Sequence, residues 1–527
     1  MKLKLIIQFT AVLLAGAFGM AQAATNTASS GSFADVSAAV ASASPGDTVV
    51  IPPGRNVWTQ TLNLSGITLQ GAGTNLTFIV DETPASGNGL PVISIGTAPT
   101  LTRVTQLTIT VGVTNAYPFQ KYSGNIDVSG SSPLLRIDHC VFYWLTGKPI
   151  HFLGQVNGLV DHCSFQMQAN ALSIEMEGDG YGDLSWATPY VWGSSNALFI
   201  EDNYFSSVWH FSGVDVGHGI RAVIRNNIFQ DGFIVAHGTE TSQRYRSMRV
   251  AEVYNNQFFH PAGWFSTGFE LRGGSVLMWS NILSGYKSVA TPQSFRATDN
   301  DPRFLPWNGA TGLCGYDSNS PALLSGTAST TSNILSVAGA NWINNQWVGC
   351  TVLNTNQKFV TSTWQGAATN IGSIGMVIAN NSNTMWFASE VNPGSGLQIK
   401  FAAGDPFVVH RVYPQLDQPG MGQGDLLSGD TPAAAWSHQA SEPIYFWGNL
   451  ASPNYGGALV QQDIFSSYPN VQAGRDFFNA SKPGYVPYVY PHPLTIDTTP
   501  LIGNTNNVSN GTKPAPPSSL STHPPGQ

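Results

Sequence analysis

Arg221, Arg225, Arg244, Arg246, Arg249 and Arg272 are six of the thirteen arginines in this 527-residue chain, and they crowd between positions 221 and 272. The chain as a whole is acidic, with a formal net charge of −8. Concentrated guanidinium on an acidic protein needs counter-charge. It pairs bidentately with carboxylate and sulfate groups, so the cluster suits an acidic polymer. The same stretch holds His237, Glu240 and Glu270, and His218 lies just before it, side chains able to move protons. His218 stands nine residues before Asn227, and Arg272 nine before Asn281. Those two Asn belong to a repeated motif, so His218 and Arg272 are expected two repeats apart on one face, about 10 Å along the repeat axis. The expected site is a groove shared by His218, His237, Glu240, Arg246 and Arg272, with Arg244 and Glu270 as substrate contacts. The bland alternative is that these arginines pair with Asp215, Asp231 or Glu252 and serve the fold alone.

A second group precedes it. Glu175, Glu177, Asp179 and Asp183 form an acidic run. Their oxygens suit Ca2+, although the run matches no EF-hand loop and also reads as a solvated loop. Trp186, Tyr190 and Trp192 follow and suit stacking on sugar rings; the alternative is burial of an insertion against its support. Cys140 and Cys163 each follow Asp-His. A zinc site is one reading of the two triplets, and stacked interior positions the stronger one. Cys314 and Cys350 suit a disulfide outside the cytoplasm.

A repeat must position these groups. Leu135-Arg-Ile-Asp-His-Cys140-Val-Phe142 returns around Cys163, Asn203, Asn227, Asn256 and Asn281, with a last copy at Asn449. A period near 24 residues with local insertions marks a solenoid. Alternating apolar residues give a strand with one face inward, and the recurrent Asn marks a turn whose amide can bond its equivalent one coil away. The insertions fall at 175–192 and 237–246, and turn insertions of this kind build the walls of a groove. Phe33 to Ala43 has the pattern of a short amphipathic helix, suited to cap the open end. The rhythm stops at 310–412, which reads as an inserted small β domain, a glycan-binding module or a structural elaboration. It resumes over 413–502, where the Tyr- and Pro-rich stretch from Arg475 to Leu494 looks like an extended strap. Residues 503–527 read as a disordered tail. The fold class expected is all-β: a right-handed parallel β-helix over 24–309, with a capping helix and an inserted domain.

The N-terminus carries Lys2 and Lys4, an apolar stretch from Leu5 to Phe18, and Ala21-Gln22-Ala23. This is the layout of a Sec signal peptide over 1–23, so a secreted or periplasmic protein is expected, with no membrane span. The acidic balance argues against nucleic acid as a partner; sequence sets no oligomeric state.

The opening, with Ser44-Pro-Gly-Asp-Thr-Val-Val-Ile-Pro-Pro-Gly and Leu62-Asn-Leu-Ser-Gly-Ile-Thr-Leu-Gln-Gly-Ala-Gly73, resembles that of pectin-lyase-like right-handed β-helix proteins. Tyr245-Arg-Ser-Met-Arg and Phe269-Glu-Leu-Arg-Gly-Gly-Ser275 are similar in layout to β-helix alginate and chondroitin lyases. That resemblance implies β-elimination on an acidic polysaccharide, with Arg246 or Arg244 as base and Arg272 as partner of the substrate carboxylate. The Lys of those lyases has no counterpart between Lys148 and Lys287. A non-catalytic glycan-binding or adhesion solenoid is the alternative. So is a polygalacturonase-like hydrolase, suggested by Gly217-His218-Gly219 and by Asp215 with Glu240 or Glu270.

Overall fold

The structure is a computed structural model that describes residues 23–112, 121–130, 134–145, 147–168, 173–178, 182–207, 212–238, 246–262, 265–292, 322–348, 350–356, 360–364, 367–371, 374–387, 399–411, 417–423, 439–466, 471 and 473–496. The signal-peptide and tail expectations, and the Cys314 half of the suggested disulfide, lie outside the described residues.

From Thr48 to Pro292 each coil runs through three short strands, and each strand pairs in parallel with its equivalent one coil on; the later strand Val460–Gln461 is added antiparallel to Leu450–Ser452. Sheet A holds twelve strands, from Thr25–Thr27 to Phe477–Phe478; sheet B eleven, from Gly54–Trp58 to Val460–Gln461; sheet C nine, from Leu62–Leu64 to Tyr286–Pro292. One coil is Leu135–Asp138 in sheet A, Val141–Leu145 in sheet B and Ile150–Leu153 in sheet C. The fold is a right-handed parallel β-helix. Alternation makes this possible: Ile150 and Phe152 point inward with no exposed surface, while His151 between them points out.

The turn from sheet A to sheet B fixes the register. Gln106, His139, His162, Asp202, Asn226, Asn255 and Ser280 all take positive φ between 49° and 59° there. The following residues are stacked. The Asn203 amide donates to Asn227 Oδ1 (3.1 Å), Asn227 to Asn256 (3.0 Å), Asn256 to Asn281 (3.0 Å) and Asn281 to Asn449 (2.9 Å). The Cys163 N–H joins the same column by donating to Asn203 Oδ1. Beside it, Phe142, Phe165, Phe205, Phe229 and Phe258 stack with centroids 4.5–4.8 Å apart. The Asp-His-Cys triplets diverge: the Cys thiols lie buried in the core, His139 and His162 stack outside, and Asp138 and Asp161 pair with arginines on sheet A. These side chains do not converge on a metal.

The helix Phe33–Ser42 begins at Ser32, whose hydroxyl accepts from the Asp35 N–H. Its Phe33 meets Trp58 edge to face, and Val36 is buried. It covers the open end of the first coils. Within 322–411, six strands form an antiparallel sheet with its own core of Leu335, Val352, Val377, Met385, Phe407 and Val409. The coils then resume with Ile444–Trp447 in sheet A and Leu450–Ser452 in sheet B. Residues 485–494 run back as a strap over the outer face of sheet A. Arg225 donates to the carbonyls of Tyr488 and Val489, and Arg136 to that of Leu494. The Tyr490 hydroxyl donates to Asp202, and Glu201 accepts from the His492 N–H.

Candidate active site

Outward positions of sheet C carry the proton-active residues. Parallel register puts Asp127, His151, Glu175 and Asp215 in one column, followed by Val235 and Glu270. Two residues further along, on the same outward face, Glu177 heads a second column. Ala236 pairs with Leu271, so His237 and Arg272 follow as neighbours. Val216 pairs with Ala236, so the position equivalent to His237 is Gly217. His218 lies one residue further, in a left-handed turn with φ 48°. The nine-residue offset therefore misplaced His218 by one position, because the turn from sheet C to sheet A varies in length. Gly178 abuts that turn: a Cβ there would lie 1.7 Å from the His218 carbonyl oxygen, so only glycine fits.

The contacts alternate in charge. His151 Nδ1 lies 2.8 Å from Asp127 Oδ1, and its Nε2 lies 3.4 Å from Glu177 Oε2. His218 Nδ1 lies 3.6 Å from Glu177 Oε1, and His237 Nε2 3.2 Å from Asp215 Oδ1. Lys148 pairs with Glu175, and Arg272 with Glu270 at 2.5 Å. These neighbours set the protonation states. Burial opposes charge on His151, but hydrogen bonds to Asp127 and Glu177 hold its pKa up to about 9. Burial and the Asp215 carboxylate push Glu175 up to about 7, against the pull of Lys148. Glu177 is also partly buried, but its bond with His151 holds it down at about 2. Burial lowers His218 below its ordinary value, against the field of Glu177. At neutral pH the row thus offers a neutral imidazole beside an ionised carboxylate.

The groove keeps His218, His237, Glu270 and Arg272 and loses others. Arg246 is a correction. It is fully buried and makes a bidentate pair with Asp417 at 2.6 and 2.7 Å, and Trp186 lies against its guanidinium. It cannot meet a polymer in this position. Arg249 is likewise buried, paired with Glu442, and Arg225 with Glu201. Arg221 ties down the insertion through Ser185 and the Thr188 carbonyl. The expected basic strip is instead a mixed row of acids, imidazoles and two cations. The aromatic trio is a second correction. Trp186 is fully buried, with its indole N–H on the Ser247 carbonyl. The Tyr190 hydroxyl donates to Glu252, and the Trp192 indole to Glu442. All three hold the insertion against the solenoid. Glu240, Arg244 and Asp179 lie outside the described residues, as does the side chain of Asp183. Glu175 and Glu177 do approach a third donor, but it is His151 from the neighbouring coil; the three groups offer ligand atoms within 4.8 Å of one another.

Lys148, His151 and Asp127 were missed in the sequence. The signal for Asp127 and His151 was the pattern apolar, charged, apolar in Ile126-Asp-Val, Ile150-His-Phe, Ile174-Glu-Met and Val214-Asp-Val. Each marks a charged outward position on a strand whose neighbours fill the core.

No protein-family model matches the chain, and no curated protein matches it. Three solved structures are similar in part. An alginate lyase from Paenibacillus sp. str. FPU-7 is 12% identical, with 51% of this chain and 97% of that one covered and a TM-score of 0.28. The tailspike protein of E. coli bacteriophage HK620, in complex with a pentasaccharide, is 12% identical over 69% of this chain and 87% of that one, at 0.26. Pantoea stewartii WceF, a glycan biofilm modifying enzyme with a tailspike-like parallel β-helix fold, is 12% identical over 73% and 60%, at 0.25. The assignment of a parallel β-helix rests on the strand pairing of this chain itself.

Proposed function

We propose that this chain cleaves an acidic polysaccharide by β-elimination on the outer face of sheet C. The observation that carries the reading is the edge formed by Glu177, His218, His237 and Arg272 on successive coils, each coil about 4.8 Å from the next. β-Elimination needs a base for the proton α to a uronate carboxylate, a cation for that carboxylate, and an acid for the leaving oxygen. His218, oriented by Glu177, takes the proton. Arg272 binds the carboxylate as charge builds on it. His237, its side chain 30% exposed, returns a proton to the leaving oxygen. The C–H and C–O bonds break and a C=C bond forms.

A second reading, hydrolysis, is favoured by one observation: Glu175 and Asp215 are register neighbours with most of their surface buried. A protonated and an ionised carboxyl flanking a glycosidic bond are the parts that reaction uses. A panel of uronate polymers separates the two. Ultraviolet absorbance from an unsaturated product supports elimination; new reducing ends without it transfer the assignment to hydrolysis; neither result on any polymer removes the enzymatic reading. On a cleaved polymer, His218→Ala should lower turnover by about 10²–10⁴-fold. We infer in addition that the chain is exported and processed before Ala24, which N-terminal sequencing of the protein from its host checks.

A further inference from the structure

Three side chains on adjacent coils offer one nitrogen and two carboxylates to a common point. His151 stands on the strand Ile150–Leu153, and Glu175 and Glu177 on the neighbouring Ile174–Glu177. Register sets His151 beside Glu175, while the alternation of the strand returns Glu177 to the same outward face. One ligand atom from each lies within 4.8 Å of the other two. The imidazole is oriented for this. Asp127, its register neighbour on the other side, lies 2.8 Å from Nδ1, which fixes Nδ1–H as its donor and turns Nε2 toward the glutamates, where a bound ion would displace the Nε2 proton. A carboxylate behind the far ring nitrogen is how proteins orient a metal-bound histidine. A cation already sits on these donors, since the Lys148 ammonium pairs with Glu175.

We propose that His151 Nε2, Glu175 and Glu177 bind one divalent first-row transition ion, Mn2+ or Zn2+, on the outer face of sheet C. Imidazole suits Zn2+ and its neighbours in the series, while Ca2+ selects an all-oxygen shell. This donor set therefore discriminates against the Ca2+ that the acidic run alone suggested. His218, 3.6 Å from Glu177 on the other side, is placed to hold a ligand of the ion. The ion would bring positive charge to a row that holds five carboxylates, which an anionic polymer otherwise meets as repulsion. The site stands independently of the reaction assigned above, because its test reads binding and not turnover.

The test uses the full processed chain, stripped with a chelator and titrated calorimetrically with Zn2+, Mn2+ and Ca2+ separately. One equivalent of Zn2+ or Mn2+ should bind at least tenfold more tightly than Ca2+. His151→Ala and Glu177→Gln should each remove that binding. Asp127→Asn, which leaves all three ligands in place, should weaken it by about 10–100-fold. Lys148→Met removes the competing ammonium and should tighten it, a gain that no misfolded variant can imitate. Substoichiometric binding, equal affinity for Ca2+, or binding indifferent to His151→Ala and Lys148→Met overturns the site. Cobalt substitution gives a second readout: a visible absorption band should appear in the native chain and be absent in His151→Ala.

Discussion

The outer faces of sheet A and sheet C both carry rows of charged residues on the same coils, yet they have opposite fates. On sheet A, Arg103 pairs with Asp138, Arg136 with Asp161 and Arg225 with Glu201, and all six side chains are buried. The strap of residues 485–494 lies over Arg136 and Arg225 and takes up further guanidinium donors with its carbonyls. On sheet C, His151, Glu175, Glu177, Asp215 and His237 keep between 11% and 30% of their side-chain surface. Charge on a solenoid therefore says little until one knows what covers it. A covered ladder of ion pairs is fixed and spent on the fold. A row left in partial contact with water can still exchange protons and partners.

The comparison breaks most sharply at Arg225. Arg225→Ala leaves Glu201 buried without its guanidinium and strips two strap carbonyls of their donor. It should cost about 3–5 kcal/mol in chemical denaturation, with turnover per folded molecule unchanged. Stability near that of the native chain would erase the distinction between the faces. Arg272→Ala is the mirror experiment. Turnover on a cleaved polymer should fall by about 10²–10³-fold, while stability moves by about 1 kcal/mol or less. A variant that melts early but turns over normally would return Arg272 to the class of Arg225. Asn256→Ala injures neither face but the turn column between sheets A and B. It removes the acceptor of the Asn227 N–H and amide, at a cost of about 1–3 kcal/mol for a buried group left unmatched.

The row on sheet C also carries a pH dependence. His151 has its pKa raised to about 9 in the folded chain, from an ordinary 6.5. Its contribution to stability is full below about 6.5 and is lost as pH climbs through 9. Chain freed of metal by a chelator should therefore lose stability, on the order of 3 kcal/mol, between pH 6 and pH 9.5. His151→Gln should flatten that slope. An identical slope in the variant would place the titration elsewhere.

The solenoid was legible because its rules are local. A strand of alternating apolar residues, a left-handed turn residue and a stacked Asn recur within 24 residues or so, and each copy can be read alone. The groove was legible only in half. Counting reached Arg272 and strand alternation Glu270; His237 was placed by its coil alone, and His218 lies within a turn of different length, so counting missed it by one. Arg246 was misread because its partner Asp417 lies 171 positions away, beyond the inserted domain. The tyrosine carbonyl that meets Arg225 lies 263 positions away. Nothing in the neighbourhood of either arginine distinguishes a covered guanidinium from an open one. Asp127 and His151 were overlooked for the opposite reason. They are scattered singly, one per strand, and become a cluster only when coils stack.

The strap has a consequence for how the molecule comes apart. In a bare solenoid each coil contacts only its neighbours, so unfolding can begin at an end and proceed coil by coil. Here one segment of ten residues touches the coil of Arg136, the coil of Glu201, the coil of Arg225 and, through Tyr485, the coil of Glu252. These coils are joined in parallel by a single tie rather than only in series. Each of them must break its own contact with the tie to open, so the strap couples the region from Arg136 to Glu252 beyond nearest neighbours. The tie also follows all of these coils in chain order. Coils that stack before residues 485–494 dock remain a one-dimensional lattice, free to fray, until the strap couples them.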